Sequence, residues 1–402
     1  MKRWGDGSRD QKAVALIIAV KGIDAKSTPR FFDSIFNQSY SNYRTIICFE
    51  SWSDPIARWL CEQMDLSEKK PTWVSPEPGS GLQTVTLVAA GEAQNQGQKI
   101  HNQLAGFREL TPEDRLIVFA DADIICDNQW LATLTAPINQ GDYPLASTYR
   151  WLIPKSSSLA NQFASVINAS VTTQEGSDVT NVLWGGSMAI SREAFDSLDV
   201  PALFTGSLND DLRLAKAARK QKHKIAFVRS LILPTMIDFT WAKFFEFARR
   251  QYTQVRIFSP ILYKGWNFLL LFYIVGLVSA ILGIVYEVFW AWIPIAGAYV
   301  IDQFRAMGRH LVYSSLYQNE GIRRKLGATA WLEHMLTPVW MMLHWLILIS
   351  TWYKDRITWA GIKYLIISPS KTRILDRKDE PQVMPSGIAN LEIYQRTHHG
   401  GT

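Results

Sequence analysis

The stretch Leu116-Ile117-Val118-Phe119-Ala120-Asp121-Ala122-Asp123 places two acidic residues directly after a run of apolar ones. A short, continuous apolar run is typical of a strand that is buried on both faces of a parallel sheet. In open α/β sheets, ligands bind beyond the carboxyl ends of the strands. We therefore expect Asp121 and Asp123 to lie at a ligand-binding edge of such a sheet.

The sequence around this stretch alternates between patterns typical of strands and of helices. This alternation predicts a doubly wound, Rossmann-like α/β sheet. We expect residues 142–182, which lack a clear pattern, to be irregular. The predicted strands lie at residues 14–20, 43–49 and 84–90, and the predicted helices at residues 29–38 and 56–64 and from residue 100 onward.

The charge, the distribution of basic residues and the cysteines limit which ligands and partners we expect. The chain has 402 residues and a formal net charge of +6, which suits anionic lipid headgroups or nucleotide phosphates. Its basic residues do not form a nucleic-acid-binding stripe, so we expect no nucleic-acid partner, and no protein partner is evident. Cys48, Cys61 and Cys126 lack metal-ligand spacing, so we expect reduced thiols.

Long apolar segments in the second half of the chain predict a membrane region. At about 1.5 Å per residue, residues 267–285 nearly span a hydrocarbon core of about 30 Å. Residues 288–307 form a second candidate span. Residues 330–353 contain Glu333, His334, Pro338 and His344, so this third segment either spans the membrane or re-enters on the same side.

Basic residues predict the orientation of these segments. They flank the first segment on its N-terminal side and follow the second, which places both flanks in the cytoplasm. Three full spans would put the basic C-terminal part outside, so we expect two spans and a re-entrant or interfacial third. The apolar run at residues 14–20 is too short to span a bilayer, so we expect the N-terminal α/β domain to be cytoplasmic. The predicted organisation is a polar N-terminal tail (1–12), an α/β domain (13–258), a membrane region (259–366) and a polar C-terminal tail (367–402).

Further motifs point to chemistry at the predicted sheet edge. A carboxylate pair such as Asp121 and Asp123 can hold a divalent cation against a diphosphate. Asp211 could then act as a base, although Asp210 and Asp211 could also simply begin a helix, whose dipole favours acidic residues. Lys99 precedes a predicted helix, where a phosphate can bind, but an exposed lysine on the surface is the ordinary alternative.

These motifs together resemble the inverting, membrane-bound glycosyltransferases of the GT-A fold, and within them the ceramide glucosyltransferase-like branch. The resemblance covers about residues 14–366. It implies an α/β, GT-A (Rossmann-like) nucleotide-sugar-binding domain followed by C-terminal transmembrane or interfacial helices. It also implies roles for single residues. Asp54 contacts the uridine, Lys99 binds the diphosphate, and Asp121 contacts the donor and, with Asp123, binds Mg²⁺ or Mn²⁺. Gly185, Gly186 and Asp210 form the acceptor side, and Asp211 is the catalytic base.

One motif departs from the family pattern. Where the wider family has Gln/Arg-x-x-Arg-Trp, this chain has Ala248-Arg249-Arg250-Gln251-Tyr252. The resemblance then implies that Arg249 or Arg250, with Gln251, contacts the donor. The two arginines could equally be charges that flank a membrane segment. The altered motif and the few predicted spans favour transfer of a single sugar over polymer synthesis.

The implied activity is transfer of a sugar from a UDP-sugar to the headgroup hydroxyl of a membrane lipid, either ceramide or diacylglycerol. The protein would be embedded in the membrane with its catalytic domain on the cytoplasmic face. The alternatives are a processive polysaccharide synthase, a polyprenyl-phosphate glycosyltransferase and, more remotely, an inactive membrane scaffold.

Overall fold

The computed structural model describes residues 11–75, 81–174, 176–178 and 180–378. The helices are α1 (Ser27–Phe36), α2 (Pro55–Met64), α3 (Gln98–Phe107), α4 (Trp130–Asn139), α5 (Leu159–Thr172), α6 (Arg192–Ser197), α7 (Val200–Phe204), α8 (Asp211–Lys220), α9 (Trp241–Phe258), α10 (Pro260–Val285), α11 (Trp292–Leu316) and α12 (Glu320–Ile349). The strands are β1 (Val14–Ala19), β2 (Asn42–Phe49), β3 (Thr72–Val74), β4 (Gly81–Ala89), β5 (Leu116–Asp121), β6 (Leu145–Ser147), β7 (Arg150–Pro154), β8 (Ser187–Ser191), β9 (Ile225–Phe227), β10 (Leu233–Ile237), β11 (Arg356–Trp359), β12 (Ile362–Ser368) and β13 (Lys371–Arg377).

The chain divides into two compact units. The first contains the described parts of residues 1–149, 176–233 and 358–402. The second contains the described parts of residues 150–175 and 234–357.

An eight-stranded mixed sheet organises the first unit, in the order β3-β4-β2-β1-β5-β8-β6-β9. The pairs β1–β2, β1–β5, β2–β4 and β6–β9 are parallel. β3, on β4, and β8, on both β5 and β6, are antiparallel to their neighbours.

The central strand β1 shows why its sequence is apolar throughout. Alternate residues of a strand point to opposite faces of the sheet. Leu16 and Ile18 pack into one core cluster, and Ala15 and Ile17 pack into the other. All four are fully buried, because helices cover both faces of the sheet.

The ends of the central strands meet at one edge of this sheet. Ala19 at the end of β1 pairs with Cys48 of β2 and with Asp121 of β5. The turn after β2 and the acidic residues after β5 therefore lie at the same edge, as the sequence predicts.

The prediction that residues 142–182 are irregular is wrong. They contain β6, β7 and α5. Nearly all side chains from Ala160 to Thr172 are buried, including Asn161, Gln162 and Ser165. Because no exposed polar face alternates with an apolar one, this helix lacks the amphipathic pattern that sequence analysis detects.

The helices α9 to α12 follow the sheet in sequence and belong to the second unit. Within the described residues, α10 and α12 are long and apolar enough to cross a membrane by length and composition, with hydropathies of 2.8 and 1.3. α11 does not meet this criterion, because Asp302, Arg305 and Arg309 interrupt it. The sequence predicts that residues 288–307 are a clearer membrane span than residues 330–353. By length and composition, the helix that contains residues 330–349 is instead the better candidate.

The last described residues form a small antiparallel sheet in the order β11-β12-β13. The sequence assigns residues 356–366 to the membrane region and later residues to a polar tail. The structure instead continues regular strands to Arg377, and the rest of the predicted tail, from residue 379, lies outside the described residues.

Candidate active site

A lysine between two carboxylates forms the centre of the candidate site. Lys99, in the first turn of α3, places its Nζ 2.6 Å from Asp121 Oδ1 at the end of β5. The same Nζ is 2.8 Å from Oδ2 of Asp210, the residue that caps α8. Burial opposes the charge on Lys99, but the two carboxylates outweigh this effect and raise its pKa. The structure therefore brings Lys99, Asp121 and Asp210 together as a permanently charged cluster.

Asp210 is buried and its carboxylate is fully engaged. Besides Lys99, Gln103 Nε2 donates to Asp210 Oδ2 at 2.9 Å, and the backbone N–H of Asp211 donates to Oδ1 at 3.0 Å. Burial alone would raise the pKa of Asp210, but the Lys99 charge and these hydrogen bonds lower it overall. Asp210 is therefore held ionised, and it does cap a helix as the ordinary alternative proposes.

Asp211 follows directly but meets different surroundings. Gly185 N–H donates to Asp211 Oδ2 at 2.9 Å, and Asn209 Nδ2 donates to Oδ1 at 2.8 Å. Burial and the neighbouring charge of Asp210 raise the pKa of Asp211 to about 6. Two adjacent carboxyl groups whose pKa values are pushed apart are typical of acid–base chemistry.

The turn that contains Gly185 and Gly186 is sterically tied to this cluster. A Cβ at Gly185 would lie 2.7 and 2.8 Å from the two carboxylate oxygens of Asp210 and 2.9 Å from Lys99 Nζ. A Cβ at Gly186 would overlap the Trp184 ring, and the Gly186 carbonyl accepts a hydrogen bond from Asp121 N–H at 3.3 Å. Both positions therefore exclude any larger side chain, and both glycines lie beside Asp121 or Asp210.

Asp54 caps α2 at the same edge of the sheet. Its Oδ1 accepts from Ile56 N–H at 3.0 Å and from Gly22 N–H at 3.2 Å. Partial burial raises its pKa, although these hydrogen bonds and Lys21 oppose the shift. The cap is a structural role, and contact with the donor stays a prediction.

The acidic residues after β5 suit a divalent cation when the diphosphate also contributes. Carboxylate oxygens are ligands that Mg²⁺ and Mn²⁺ prefer, and Mg²⁺ commonly takes one or two carboxylates plus substrate phosphates and water. Asp121 and Asp123 provide such a pair, with Asp123 exposed. Residues 11–75, 81–174, 176–178 and 180–378 contain no group of three or more His, Cys, Asp or Glu side chains that could hold a metal ion. The residues present therefore fit a site that the substrate completes.

The altered arginine motif lies on α9, in the second unit. Arg249, Arg250 and Gln251 are half-buried, and the Arg250 guanidinium lies 5.7 Å from the centre of the Phe247 ring. Tyr252 is buried, and its hydroxyl lies 2.6 Å from His344 Nε2. Binding of the donor by Arg249, Arg250 or Gln251 stays a prediction.

Comparison with known families decides the class of protein. Residues 5–372 match the model of glycosyl transferase family 21. The chain belongs to glycosyl transferase family 21. It is therefore a glycosyltransferase, and the predicted fold class, a GT-A-type α/β domain followed by apolar C-terminal helices, is confirmed.

Two solved structures are distantly similar to this family 21 chain. The mannosyltransferase PcManGT from Pyrobaculum calidifontis, in complex with GDP-Man and Mn²⁺, is 13% identical with a TM-score of 0.43, covering 87% of this chain and 88% of that one. TarS 1–349 from S. aureus is 10% identical with a TM-score of 0.36, covering 61% of this chain and 65% of that one. No curated protein matches the chain.

The family 21 match ends inside β13, in the small C-terminal sheet that the sequence analysis missed. Tyr364 Oη accepts from Gln98 N–H at 3.2 Å, at the start of α3. Arg377 Nη1 donates to Glu50 at 2.9 Å, and its Nη2 donates to Gln98 Oε1 at 3.0 Å. The Trp359 ring centre lies 6.0 Å from Lys99 Nζ. The sheet therefore packs against the helix turn that carries Lys99.

The sequence of this chain does contain a signal for the sheet. Ile362, Tyr364 and Ile366 alternate with more exposed residues and are all buried. This period of two is typical of a half-buried strand.

Proposed function

We propose that this glycosyltransferase moves a sugar from a UDP-sugar to the headgroup hydroxyl of a membrane lipid, ceramide or diacylglycerol, with inversion at the anomeric carbon. The observation that carries the proposal is the pair Asp210–Asp211. One carboxylate is held ionised by Lys99, and the next has its pKa raised to about 6. A general base works best when its pKa is close to the operating pH.

In the proposed step, Asp211 takes the proton from the acceptor hydroxyl while its oxygen attacks the anomeric carbon. The bond between that carbon and the diphosphate oxygen breaks, and the electron pair leaves with UDP. Lys99 supplies fixed positive charge near the leaving diphosphate. Asp121 and Asp123 would hold Mg²⁺ or Mn²⁺, which supplies further charge neutralisation when bound.

The membrane part of the proposal rests on α10 and α12, which are apolar and long enough to span a bilayer. Arg249, Arg250 and Arg256 precede α10, and Lys264 lies near its start. These charges favour a cytoplasmic location for this flank and for the catalytic domain. A lipid acceptor would keep its chains in the bilayer while its hydroxyl is presented to the base.

The test compares membranes containing the wild type or Asp211→Asn. Each is supplied with labelled UDP-glucose, UDP-galactose, UDP-GlcNAc or UDP-glucuronic acid, followed by lipid extraction and mass analysis. Loss of a general base lowers the rate by about 100-fold to 10,000-fold, and we expect Asp211→Asn to lose labelled lipid to this extent. Asp196→Asn is the matched control, because Asp196 is exposed and its ion pair is with Arg192 on the same helix.

Full transfer by Asp211→Asn would refute the assigned mechanism. Label in an insoluble polymer instead of a lipid would favour the synthase alternative. Absence of label with every donor, together with absence of donor binding, would favour the inactive scaffold.

A further inference from the structure

A cavity of about 520 Å³ lies among α5, α10, α11 and α12 in the second unit. Trp266, Leu270, Tyr273 and Leu277 line it from one face of α10, since residues three or four apart lie on the same side of a helix. This face extends about 16 Å along the helix axis at about 1.5 Å per residue. The cavity is therefore elongated along a helix that is a candidate membrane span, and most of its lining is apolar.

Two polar atoms in this apolar lining have no partner. Trp340 Nε1 and His344 Nδ1 are buried and make no hydrogen bond within the part of the chain that the structure describes. Trp340 is 1% exposed and His344 is 3% exposed, and both residues line the cavity. A buried polar group without a partner is destabilising, so two such groups in residues that line one cavity indicate a ligand that supplies the missing bonds.

The two side chains are held in fixed positions. They lie four residues apart on α12, so they face the same side of the helix. His344 Nε2 lies 2.6 Å from the Tyr252 hydroxyl, which orients the imidazole ring and leaves Nδ1 facing away from Tyr252. The unusual residue Tyr252 of the α9 motif thus has a positioning role at this cavity.

Helix α12 has a kink just before Trp340, and a neighbouring side chain replaces the backbone hydrogen bond that is lost there. Leu336 has non-helical φ and ψ angles, and Pro338 lacks the N–H that would bond to the carbonyl of His334. Gln303 replaces this donor, because its Nε2 donates to the His334 carbonyl at 3.0 Å while its Oε1 lies 2.6 Å from His334 Nδ1. The kink is therefore a built feature, and the segment from Trp340 to His344 follows it directly.

The unpaired atoms define the chemistry of the ligand. Trp340 can only donate a hydrogen bond, so it needs an acceptor oxygen, whereas His344 Nδ1 donates or accepts according to its tautomer. Arg305 also lines the cavity, but its guanidinium already faces Asp302 at 3.6 Å. An uncharged polar group, such as an amide or a hydroxyl, therefore suits the cavity better than a phosphate.

We infer that this cavity binds the acceptor lipid of the proposed transfer, with one hydrocarbon chain along α10 and an amide or hydroxyl group at Trp340 and His344. The identity of the lipid as the acceptor rests on the proposed function, whereas the binding site rests on the cavity and its two unpaired atoms. Both a ceramide and a diacylglycerol carry the required carbonyl and hydroxyl oxygens.

The test uses the full chain in phosphatidylcholine nanodiscs with a ceramide that carries a photoactivatable group in its acyl chain. Gly276→Leu fills the cavity, because Gly276 lines it and a Cβ there meets nothing within 4 Å. Gly265→Leu is the matched control: it lies on the same helix, an added Cβ meets nothing within 4 Å, and it does not line the cavity. We expect Gly276→Leu to lower crosslinking to peptides of α10 and α12 at least fivefold and Gly265→Leu to leave it unchanged.

A second variant tests the polar end. Trp340→Phe keeps an aromatic ring but removes the N–H, so we expect weaker capture of the labelled ceramide, measured at a temperature where thermal unfolding shows both proteins to be folded. Excess unlabelled ceramide should compete, although phosphatidylcholine already surrounds the protein in large excess. Crosslinking that is equal in wild type and Gly276→Leu, or that excess unlabelled ceramide leaves unchanged, would overturn the inference.

The outcome is separable from that of the proposed function. Asp211→Asn should crosslink like the wild type, because Asp211 does not line the cavity. Crosslinking that depends on Gly276, without transfer from any donor, would refute the transferase proposal alone. Lipid transfer with crosslinking that is insensitive to Gly276→Leu would refute the cavity alone.

Discussion

At the scale of single residues, Asp210 and Asp211 show how surroundings divide two identical side chains. Lys99 lies 2.8 Å from Asp210, while Asp211 receives hydrogen bonds from Gly185 and Asn209 and is repelled by Asp210. Burial and the ionised neighbour together keep the pKa of the candidate base above its ordinary value. Adjacent positions in the chain thus differ in charge: Asp210 is held ionised, whereas Asp211 is the proposed proton acceptor.

The raised pKa of Asp211 predicts the pH dependence of the reaction. A base must be ionised, so activity is present above its pKa and is lost as the pH falls through that value. We expect kcat/KM to fall about tenfold for each pH unit below about pH 6, measured with saturating divalent cation. Asp210→Asn removes a repelling charge, so its acid limb should move to lower pH even if its maximal rate is reduced. An acid limb at the same pH in both proteins would contradict the assignment.

At the scale of elements, the turn before β8 connects the glycines to the charged cluster. A side chain at Gly185 would collide with Asp210 and Lys99 at 2.7–2.9 Å. The turn can therefore approach α3 and α8 only because residue 185 has no Cβ. This close approach also lets Gly185 N–H reach Asp211.

Gly185→Ala should disrupt both the packing and the chemistry. Overpacking of this kind costs about 1–3 kcal/mol, so we expect a lower melting temperature and at least a tenfold loss of transfer activity. Gly327→Ala is the control, since a Cβ at that position in α12 meets nothing within 4 Å. Equal activity of Gly185→Ala and Gly327→Ala would show that the turn is not coupled to the site.

The C-terminal sheet gives a second prediction at this scale. Arg377→Gln removes hydrogen bonds to Glu50, Gln98 and the Ala93 carbonyl. Hydrogen bonds to charged groups contribute about 1.5–3 kcal/mol each, but Arg377 is partly exposed, so we expect a total loss of about 2 kcal/mol. The KM for the donor should also rise, because α3 carries Lys99.

Arg373→Gln is the matched control for this prediction, because Arg373 is exposed on the same strand. Urea denaturation measures the stability of both variants, and initial rates at varied donor concentration measure KM. A midpoint for Arg377→Gln equal to that of Arg373→Gln would contradict a stabilising role for the sheet.

The elements also show which parts of the structure local sequence can predict. β1 and β5 were predictable because burial on both faces makes them almost wholly apolar, and the position of the acidic residues at the end of β5 follows from the sheet rule. α5 was not, because it is buried on nearly all sides. The packing of Tyr364 on Gln98 joins residues 266 positions apart, and no local period encodes such a contact. The steric requirement for glycine at position 185 likewise depends on Asp210 and Lys99, and all three residues are far apart in the sequence.

At the scale of the whole molecule, the basic flanks and apolar helices together predict a topology. Lys264 lies near the start of α10, and Arg323, Arg324 and Lys325 lie near the start of α12. Because cytoplasmic segments carry the excess of Lys and Arg, both regions should lie on the cytoplasmic side. The short connection after α10 should then face the opposite side, and α11 should return through the membrane. Its charged residues Asp302 and Arg309 are buried and pair with Tyr273 and Glu333.

This topology predicts opposite labelling of two introduced cysteines. Tyr286, just after α10, is 78% exposed, and Gln318 lies in the exposed loop before α12. In intact cells we expect a membrane-impermeant maleimide to label Tyr286→Cys, and to label Gln318→Cys only after permeabilisation. A variant lacking Cys48, Cys61 and Cys126 supplies the background. The reverse pattern would place the catalytic domain outside.

The C-terminal sheet also sets an order of events during biosynthesis. Domains generally fold from the N-terminus as the ribosome adds about 5–20 residues per second. The hydrogen bonds between Gln98 and Tyr364 and between Glu50 and Arg377 can form only after α10 and α12 have been translated. The nascent chain therefore acquires the last contacts of its N-terminal sheet domain only after its apolar helices have left the ribosome, which makes maturation of this domain depend on synthesis of those helices.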